Sequence, residues 1–320
     1  MKLEFRGNFD VESRNLLAKE INSHLEESKL VELQLCIYFN FPEGLDLNES
    51  KINVLLLQEP QSVLPWQYRS KTLSRFDLVI AFGPWRAKNL GIANWVFMPY
   101  KFKQLEISQS VKRSIYISMI NAAKFSSGSS SNYGLRRKIA KRLSKEDVDF
   151  RIFGWDWNSG KLDELRRRAV ALRASFRAGE KVSWGETFST LLHRFNAYHG
   201  GIADKLEILA QSELSLIIEN DSDYVTEKIF DAFSTLTVPV FVGPSFAEFL
   251  PEMEACIFRC DRDVESIVQR VKEITLNQVA IKRNAILELT RSGVLIEKFE
   301  FEKVWTDISQ IIVNFVRKQF

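Results

Sequence analysis

Residues 213–251, ELSLIIENDSDYVTEKIFDAFSTLTVPVFVGPSFAEFLP, constrain the fold more than any other part of the chain. The apolar run Leu214 to Ile218 reads as a buried strand and ends in the polar pair Glu219-Asn220. After a short Asp221-Ser222-Asp223 loop, Thr226-Glu227-Lys228 is expected to open a helix whose apolar face is Ile229, Phe230, Phe233 and Leu236. A second strand, Val238 to Val242, stops at Gly243-Pro244. The result is a strand–loop–helix–strand unit with its charges at the carboxyl end of the first strand, where open parallel sheets bind ligands. The helix start is expected to offer free N–H groups and a positive dipole end to a phosphate. Lys228 adds a full positive charge there.

The rest of the chain repeats the alternation. Leu3–Phe5, Val31–Phe39, Val54–Leu57, Phe76–Phe82 and Trp95–Met98 read as strands, with helices near Ser13–His24, Trp66–Leu73 and Trp85–Leu90. Lys101 to Gln109 is polar and reads as a linker. The pattern restarts with a strand at Ile115–Met119, a Ser/Gly-rich loop at Ser126–Asn132, a helix over Tyr133–Leu143 and a strand at Phe150–Phe153. Such alternation predicts α/β layers with parallel sheets, either as two tandem domains or as one larger doubly wound domain. Phe299 to Val316 carries apolar residues near helical spacing, including Phe301, Val304, Trp305, Ile308, Ile312 and Phe315. That helix either returns to the first domain or caps the second.

A length of 320 residues is enough for two ordinary domains. The net charge of +3 gives no global case for nucleic-acid binding. Cys36, Cys256 and Cys260 form no even framework and are expected as buried free thiols in a reducing compartment. His24, His193 and His199 make no metal spacing. There is no apolar run of about 18 residues and no signal-peptide core, so no transmembrane segment is expected.

The Ile-Glu-Asn at 218–220, the Tyr-Val-Thr-Glu-Lys at 224–228, the Val-Pro-Val-x-x-Gly-Pro at 238–244 and the Phe-Leu-Pro at 249–251 resemble the α-1,3-fucosyltransferases of glycosyltransferase family 10. Here only three residues separate Asn220 from Tyr224, a shorter loop than is usual in that family. The resemblance is dense over 204–251 and thin before 110. It implies a GT-B fold: two Rossmann-like domains facing a cleft. The expected division is an acceptor-side domain at 1–110, a donor-binding domain at 111–298 with a helical insertion at about 161–193, and a C-terminal helix at 299–320. The implied activity is transfer of L-fucose from GDP-fucose to a saccharide hydroxyl with inversion, in an α-1,3-type linkage; the alternatives are an inverting transferase using another nucleotide sugar and a non-catalytic nucleotide-sugar- or saccharide-binding protein on the same scaffold. The partners are then a nucleotide sugar and a saccharide acceptor. Family members in the Golgi carry a membrane anchor, and none is expected here, so the chain looks like a bacterial or viral cytoplasmic form or a trimmed piece of a longer protein, with peripheral membrane contact as a further expectation.

Site residues follow from the same match. Glu59 comes just after the apolar run Val54–Leu57 and before Pro60, and is the candidate general base. A sugar hydroxyl is a poor nucleophile, and a positioned carboxylate accelerates its attack by about 10²–10⁴-fold. By resemblance Lys228 faces the diphosphate, and Glu227 holds the ribose or the developing sugar cation. Tyr224, Asn220, Thr226, Glu219 and, less directly, Arg194 complete the donor set, while Lys205 reads as a helix-surface residue. Asp221-Ser222-Asp223 looks like the DxD metal motif of other glycosyltransferases, but Asx residues there more simply form the turn and cap the next helix. No metal or other cofactor is therefore expected to be required.

Three segments are open to two readings. The basic run Arg136-Arg137-Lys138 with Lys141-Arg142 either faces solvent, with Leu135, Ile139 and Leu143 in the core, or sends one arginine near the helix start to the phosphates. Trp155-Asp156-Trp157 either packs in a core or stacks on a ligand. LDELRRRAVALRASFRAGEK, at 162–181, is either a surface insertion or an element facing an acceptor or a membrane, since a basic helix can lie on anionic lipid.

Overall fold

A computed structural model describes residues 2–25, 33–41, 44, 46–47, 51–102, 112–129, 131–188 and 193–319, the side chains at 186 and 187 excepted. Among the described residues the strands are β1 Lys2–Gly7, β2 Gln34–Phe39, β3 Ile52–Leu57, β4 Leu78–Phe82, β5 Asn94–Val96, β6 Ile115–Ile120, β7 Phe150–Phe153, β8 Ser212–Ile218, β9 Val238–Val242 and β10 Phe258–Arg259. The first helices are α1 Val11–Leu25, α2 Ser70–Leu73, α3 Pro84–Leu90, α4 Tyr133–Leu143, α5 Lys161–Ala178 and α6 Trp184–Phe188. They are followed by α7 Lys205–Ala210, α8 Lys228–Ser234, α9 Pro251–Glu254, α10 Val264–Glu273, α11 Leu276–Arg291, α12 Val294–Phe299 and α13 Phe301–Gln319.

The chain divides into two compact units, one of Met1–Lys101 with Leu295–Phe320, the other of Phe102–Val294. In the first, β1-β2-β3-β4-β5 form a parallel sheet laid down in sequence order. Residues 54–57 are fully buried, as a parallel strand covered on both faces should be. The apolar face of α13 packs into this core: Val304, Trp305, Ile308, Ile312, Val313 and Val316 join Leu17 and Ile21 of α1 and Phe39 and Phe82 of the sheet. The Trp305 ring lies 5.8 Å from that of Phe39 and 6.2 Å from that of Phe82. The C-terminal helix thus returns to the first unit.

In the second unit the strand order is β10-β9-β8-β6-β7, again all parallel. From β6 the chain moves outward to β7 and then returns to place β8 on β6's other side. The switch point of this sheet therefore lies between the carboxyl ends of β6 and β8, where such sheets form their ligand crevice.

Several expectations change in detail. The helix expected at 66–73 is a 3₁₀ turn at Pro65–Tyr68 and the short α2, split by Arg69 in an extended conformation (φ −67°, ψ 133°). The helix expected from Thr226 starts at Lys228 and has seven residues. The expected solvent face of α4 is wrong at its start, where Arg136 and Arg137 are each only 3% exposed. The reading of 101–109 as a linker falls, from residue 103 onward, outside the described residues. The three cysteines are free and buried, and burial pushes the Cys256 thiol up to about 12 and that of Cys260 to about 11.

Candidate functional site

At the end of β8, Glu219 is completely buried, and its carboxylate folds back over the following loop. It accepts a hydrogen bond from the Thr226 backbone N–H at 2.8 Å and from the Thr226 hydroxyl at 2.8 Å through its second oxygen. Burial pushes this carboxyl up from its ordinary value, against the pull of Lys228 and the Thr226 bonds. The Thr226 hydroxyl in turn accepts from Lys228 Nζ at 3.0 Å, and Glu227 Oε1 stands 3.8 Å from the same ammonium. Glu219, Thr226, Lys228 and Glu227 thus form one relay. Burial would raise the Glu227 carboxyl, but Lys228, Lys205, its own backbone N–H and Arg136 outweigh it and hold the group low. The Thr226 N–H, expected to be open to a phosphate, is used internally by Glu219.

A second brace comes from the start of α4. Arg136 donates through Nε to the Ile218 carbonyl at 2.8 Å and through Nη2 to Asn220 Oδ1 at 2.8 Å. Burial lowers the Arg136 guanidinium below its ordinary value, with Tyr133, Glu219 and Asp221 opposing. The Asn132 N–H donates to the Asn220 carbonyl at 2.8 Å, and Ser131 bridges Asp221. The loop after β6 is therefore stitched to the loop after β8 across the switch point. Sequence reasoning did not expect Arg136 to be buried, although it shares a helical stripe with Ile139, Ala140 and Leu143, at i+3, i+4 and i+7.

Tyr224 is buried, while the Glu227 side chain is 49% exposed and that of Lys228 23%. Beside them lies a cavity of about 70 Å³ lined by Lys205, Leu209, Ser215, Glu227, Lys228 and Asp231, among others. Lys205, expected to be a plain surface lysine, pairs with the buried Asp231 of α8 at 2.5 Å and so joins this edge. Gly243, at the end of β9, has no room for a side chain, since a Cβ there would meet the Phe241 ring at 2.5 Å and Glu219 Cγ at 3.1 Å.

Arg194 is exposed and donates to the Asn158 carbonyl at 3.1 Å, so its described bond ties it to the 156–158 turn and not to the 219–228 loop. In that turn Trp157 is a core residue whose Nε1 donates to the Asn121 carbonyl at 2.7 Å, whereas Trp155 is 65% exposed. This approach of the chain to Asn121 requires glycine at 154: at φ +120°, a Cβ would stand 2.2 Å from the Asn121 carbonyl oxygen.

The first unit supplies the other candidate group. Glu59 follows β3, half-buried, and its backbone is held at both ends. Asn40 Oδ1 accepts from the Glu59 N–H at 2.7 Å and from the Gln58 N–H at 3.1 Å. The Glu59 carbonyl accepts from the Tyr68 hydroxyl at 2.6 Å and from Gln67 Nε2 at 3.0 Å. Arg86, wholly buried, donates to the Gln58 carbonyl at 3.0 Å. Asn40 itself sits at φ +59°, a left-handed conformation that Asn tolerates better than most residues. Nothing in the sequence pattern singled out Asn40, Gln67 or Arg86.

Among the described residues, no group of three or more His, Cys, Asp or Glu could hold a metal ion, and no helix is long and apolar enough to cross a membrane. No family model matches the chain. A fucosyltransferase-like protein of Arabidopsis thaliana is 38% identical over 84 residues, which are 25% of this chain and 16% of that protein. The match therefore spans about one sixth of the relative's length. Among solved structures, Anabaena Alr3699/HepE in complex with UDP superposes with a TM-score of 0.55 at 13% identity, covering 98% of this chain and 100% of that one. A glycosyltransferase of Rickettsia africae superposes with a TM-score of 0.50 at 11% identity, covering 98% of this chain and 85% of its own. With its two parallel five-stranded sheets in two Rossmann-like units, the chain has the GT-B fold of glycosyltransferases.

Proposed function

We propose that the protein is an inverting glycosyltransferase that moves L-fucose from GDP-fucose to a hydroxyl of a saccharide acceptor, with an α-1,3-type linkage. The observation that carries this reading is the Glu219–Thr226–Lys228–Glu227 relay, a fixed cation and carboxylate at the switch point of the second sheet. In this reading Lys228 meets the diphosphate. Negative charge grows on the leaving group as the glycosidic bond breaks, so a fixed cation stabilises the transition state more than the ground state. Glu227 binds the ribose or steadies the sugar cation, while Asn220, Tyr224 and Glu219 shape the donor pocket. Thr226 links Glu219 to Lys228 and so orients the ammonium. Glu59 takes the proton of the acceptor hydroxyl, the freed oxygen bonds to the anomeric carbon from the side opposite the diphosphate, and GDP departs with the electrons of the broken bond. The first unit is then the acceptor domain and the second the donor domain. Arg194 belongs to the donor set only if the 156–158 turn, which holds it, also contacts the nucleotide.

The fucose assignment is supported by the 218–251 motifs and by the name of the Arabidopsis relative. A second reading, transfer from a UDP-sugar, is favoured by the UDP bound to the Anabaena structure. Thermal shift with GDP, GDP-fucose, GDP-mannose and UDP-sugars separates them, because a ligand that binds only the folded state raises Tm by mass action. A rise with GDP and GDP-fucose alone supports the first reading. A rise with UDP-sugars alone replaces it with the second. No rise with any nucleotide would leave the fold in place and remove the donor assignment.

A further inference from the structure

The insertion helix α5 is built inside out. Its inward face carries charge: Glu164 accepts from Arg137 Nη2 of α4 at 3.0 Å and from Arg168 Nη2 at 2.5 Å, with all three side chains almost fully buried. The Phe125 ring lies under both guanidiniums, 4.7 Å from that of Arg137 and 4.5 Å from that of Arg168. Its outward face carries large apolar side chains. Leu162 is 83% exposed, Val170 61% and Phe176 59%, and Trp184 and Phe188 of α6 extend the face at 55% and 41%. The three rings form a row, with Phe176 to Trp184 at 6.0 Å and Trp184 to Phe188 stacked at 6.3 Å. Single exposed apolar residues are ordinary, but of the twelve large ones exposed among the described residues, seven lie between Trp155 and Phe188, so this is a patch.

The charge on the patch is mostly positive. Lys161, Arg166, Arg173, Arg177 and Lys181 are exposed, and between 161 and 185 Asp163 is the only carboxylate as exposed as they are. On a helical wheel Leu162, Leu165 and Phe176 lie along one side of the outward face, Arg166, Arg173 and Arg177 run beside them, and Val170 lies beyond the arginines. Aliphatic and aromatic side chains flanked by arginines match the boundary between anionic headgroups and acyl chains, where apolar groups sink in and cations stay at the surface. A glycan would use the rings but would gain little from exposed Leu162, Leu165 and Val170.

We propose that α5 and α6 form a membrane-docking face that seats the protein on an anionic lipid surface, with the Arg137–Glu164–Arg168 cluster holding the helix in place beneath it. The test is co-sedimentation of the full chain with vesicles of phosphatidylcholine alone or of phosphatidylcholine and phosphatidylglycerol in equal parts, at low and high salt. Wild-type protein should sediment with the anionic vesicles, less so at high salt, and much less with the neutral ones. Arg166→Glu with Arg173→Glu should lower the partition about tenfold or more. Trp184→Ser with Phe188→Ser should lower it even at low salt. These side chains are exposed, so both variants should keep the wild-type Tm. Failure of the wild type to bind either vesicle would overturn the proposal, as would variants that sediment like the wild type. Binding to a soluble polysaccharide without binding to vesicles would assign the face to a glycan instead.

Discussion

The two strand ends that carry the candidate chemistry are held in opposite ways. At Glu59 the protein fixes the backbone, through Asn40 on its N–H and Tyr68 and Gln67 on its carbonyl. At Glu219–Lys228 it fixes the side chains, through a relay of carboxylate, hydroxyl and ammonium. Topology accounts for part of the contrast. The second sheet reverses its strand order between β6 and β8, so a crevice exists before any loop is shaped. The first sheet never reverses, so its corner depends on side chains reaching over from neighbouring segments, Asn40, Gln67, Tyr68 and the buried Arg86. In the proposed reading, a cation that meets a diphosphate suits a side chain fixed in this way.

The sharpest separation of the two comes from Glu59→Gln. It should lower transfer by about 10²–10⁴-fold while the nucleotide-induced Tm shift stays as in the wild type. Full transfer by this variant would break the comparison, since Glu59 would then be an ordinary loop residue. Lys228→Ala should lower kcat/KM by about 10²–10³-fold and weaken nucleotide binding with it. Wild-type kinetics there would show that the relay ends at nothing. Asn40→Ala removes the acceptor of two backbone N–H groups and places Ala at positive φ. Denaturant titration should show a loss of about 1–3 kcal/mol, with transfer impaired and nucleotide affinity kept.

The smallest effect concerns acid. Glu254 accepts from the Phe246 N–H at 2.6 Å and from Arg259 Nη2 at 2.6 Å, and Arg259 also donates to the Gly243 carbonyl at 3.2 Å, beside Glu219. Burial raises the Glu254 carboxyl, but the Arg259 and Phe246 bonds outweigh it and hold the group below its ordinary value of 4.5. Its stabilising contribution is therefore complete above that value and is lost as pH falls through the lowered one. Glu219, with its carboxyl raised, contributes in the opposite direction and gains as pH falls. Glu254→Gln should thus flatten a small part of the acid limb of the stability curve, measured by denaturant midpoints at successive pH.

How much of this could be read from the sequence depends on the interaction involved. Buried parallel strands announce themselves as apolar runs: β7 and β9 fall on the residues expected, and α4 has the expected bounds. The 218–228 motif was visible because its charges interrupt such a pattern. Arg136 and Arg137 were not, because a basic run usually faces water and only the tertiary fold places a strand-end carbonyl and a carboxylate over them. Asn40, Gln67 and Tyr68 act across gaps of 19, 8 and 9 residues, with no period to reveal them. The apolar stripe of α13 was legible, but its destination was not, since periodicity shows that a face is buried and not what covers it.

That destination affects the order in which the chain matures. The first unit needs Trp305, Ile312 and Val316 to fill its core, yet these residues are synthesised after the whole of 102–294. During synthesis the second unit is a continuous stretch that can close on itself, while the older segment waits on the order of tens of seconds for its missing helix. Until then the sheet face that α13 will cover, with Phe39 and Phe82 on it, is open to chaperones and to aggregation. The amino-terminal unit, begun first, is completed last, and lesions in the final helix should appear as misfolding of the opposite end of the sequence.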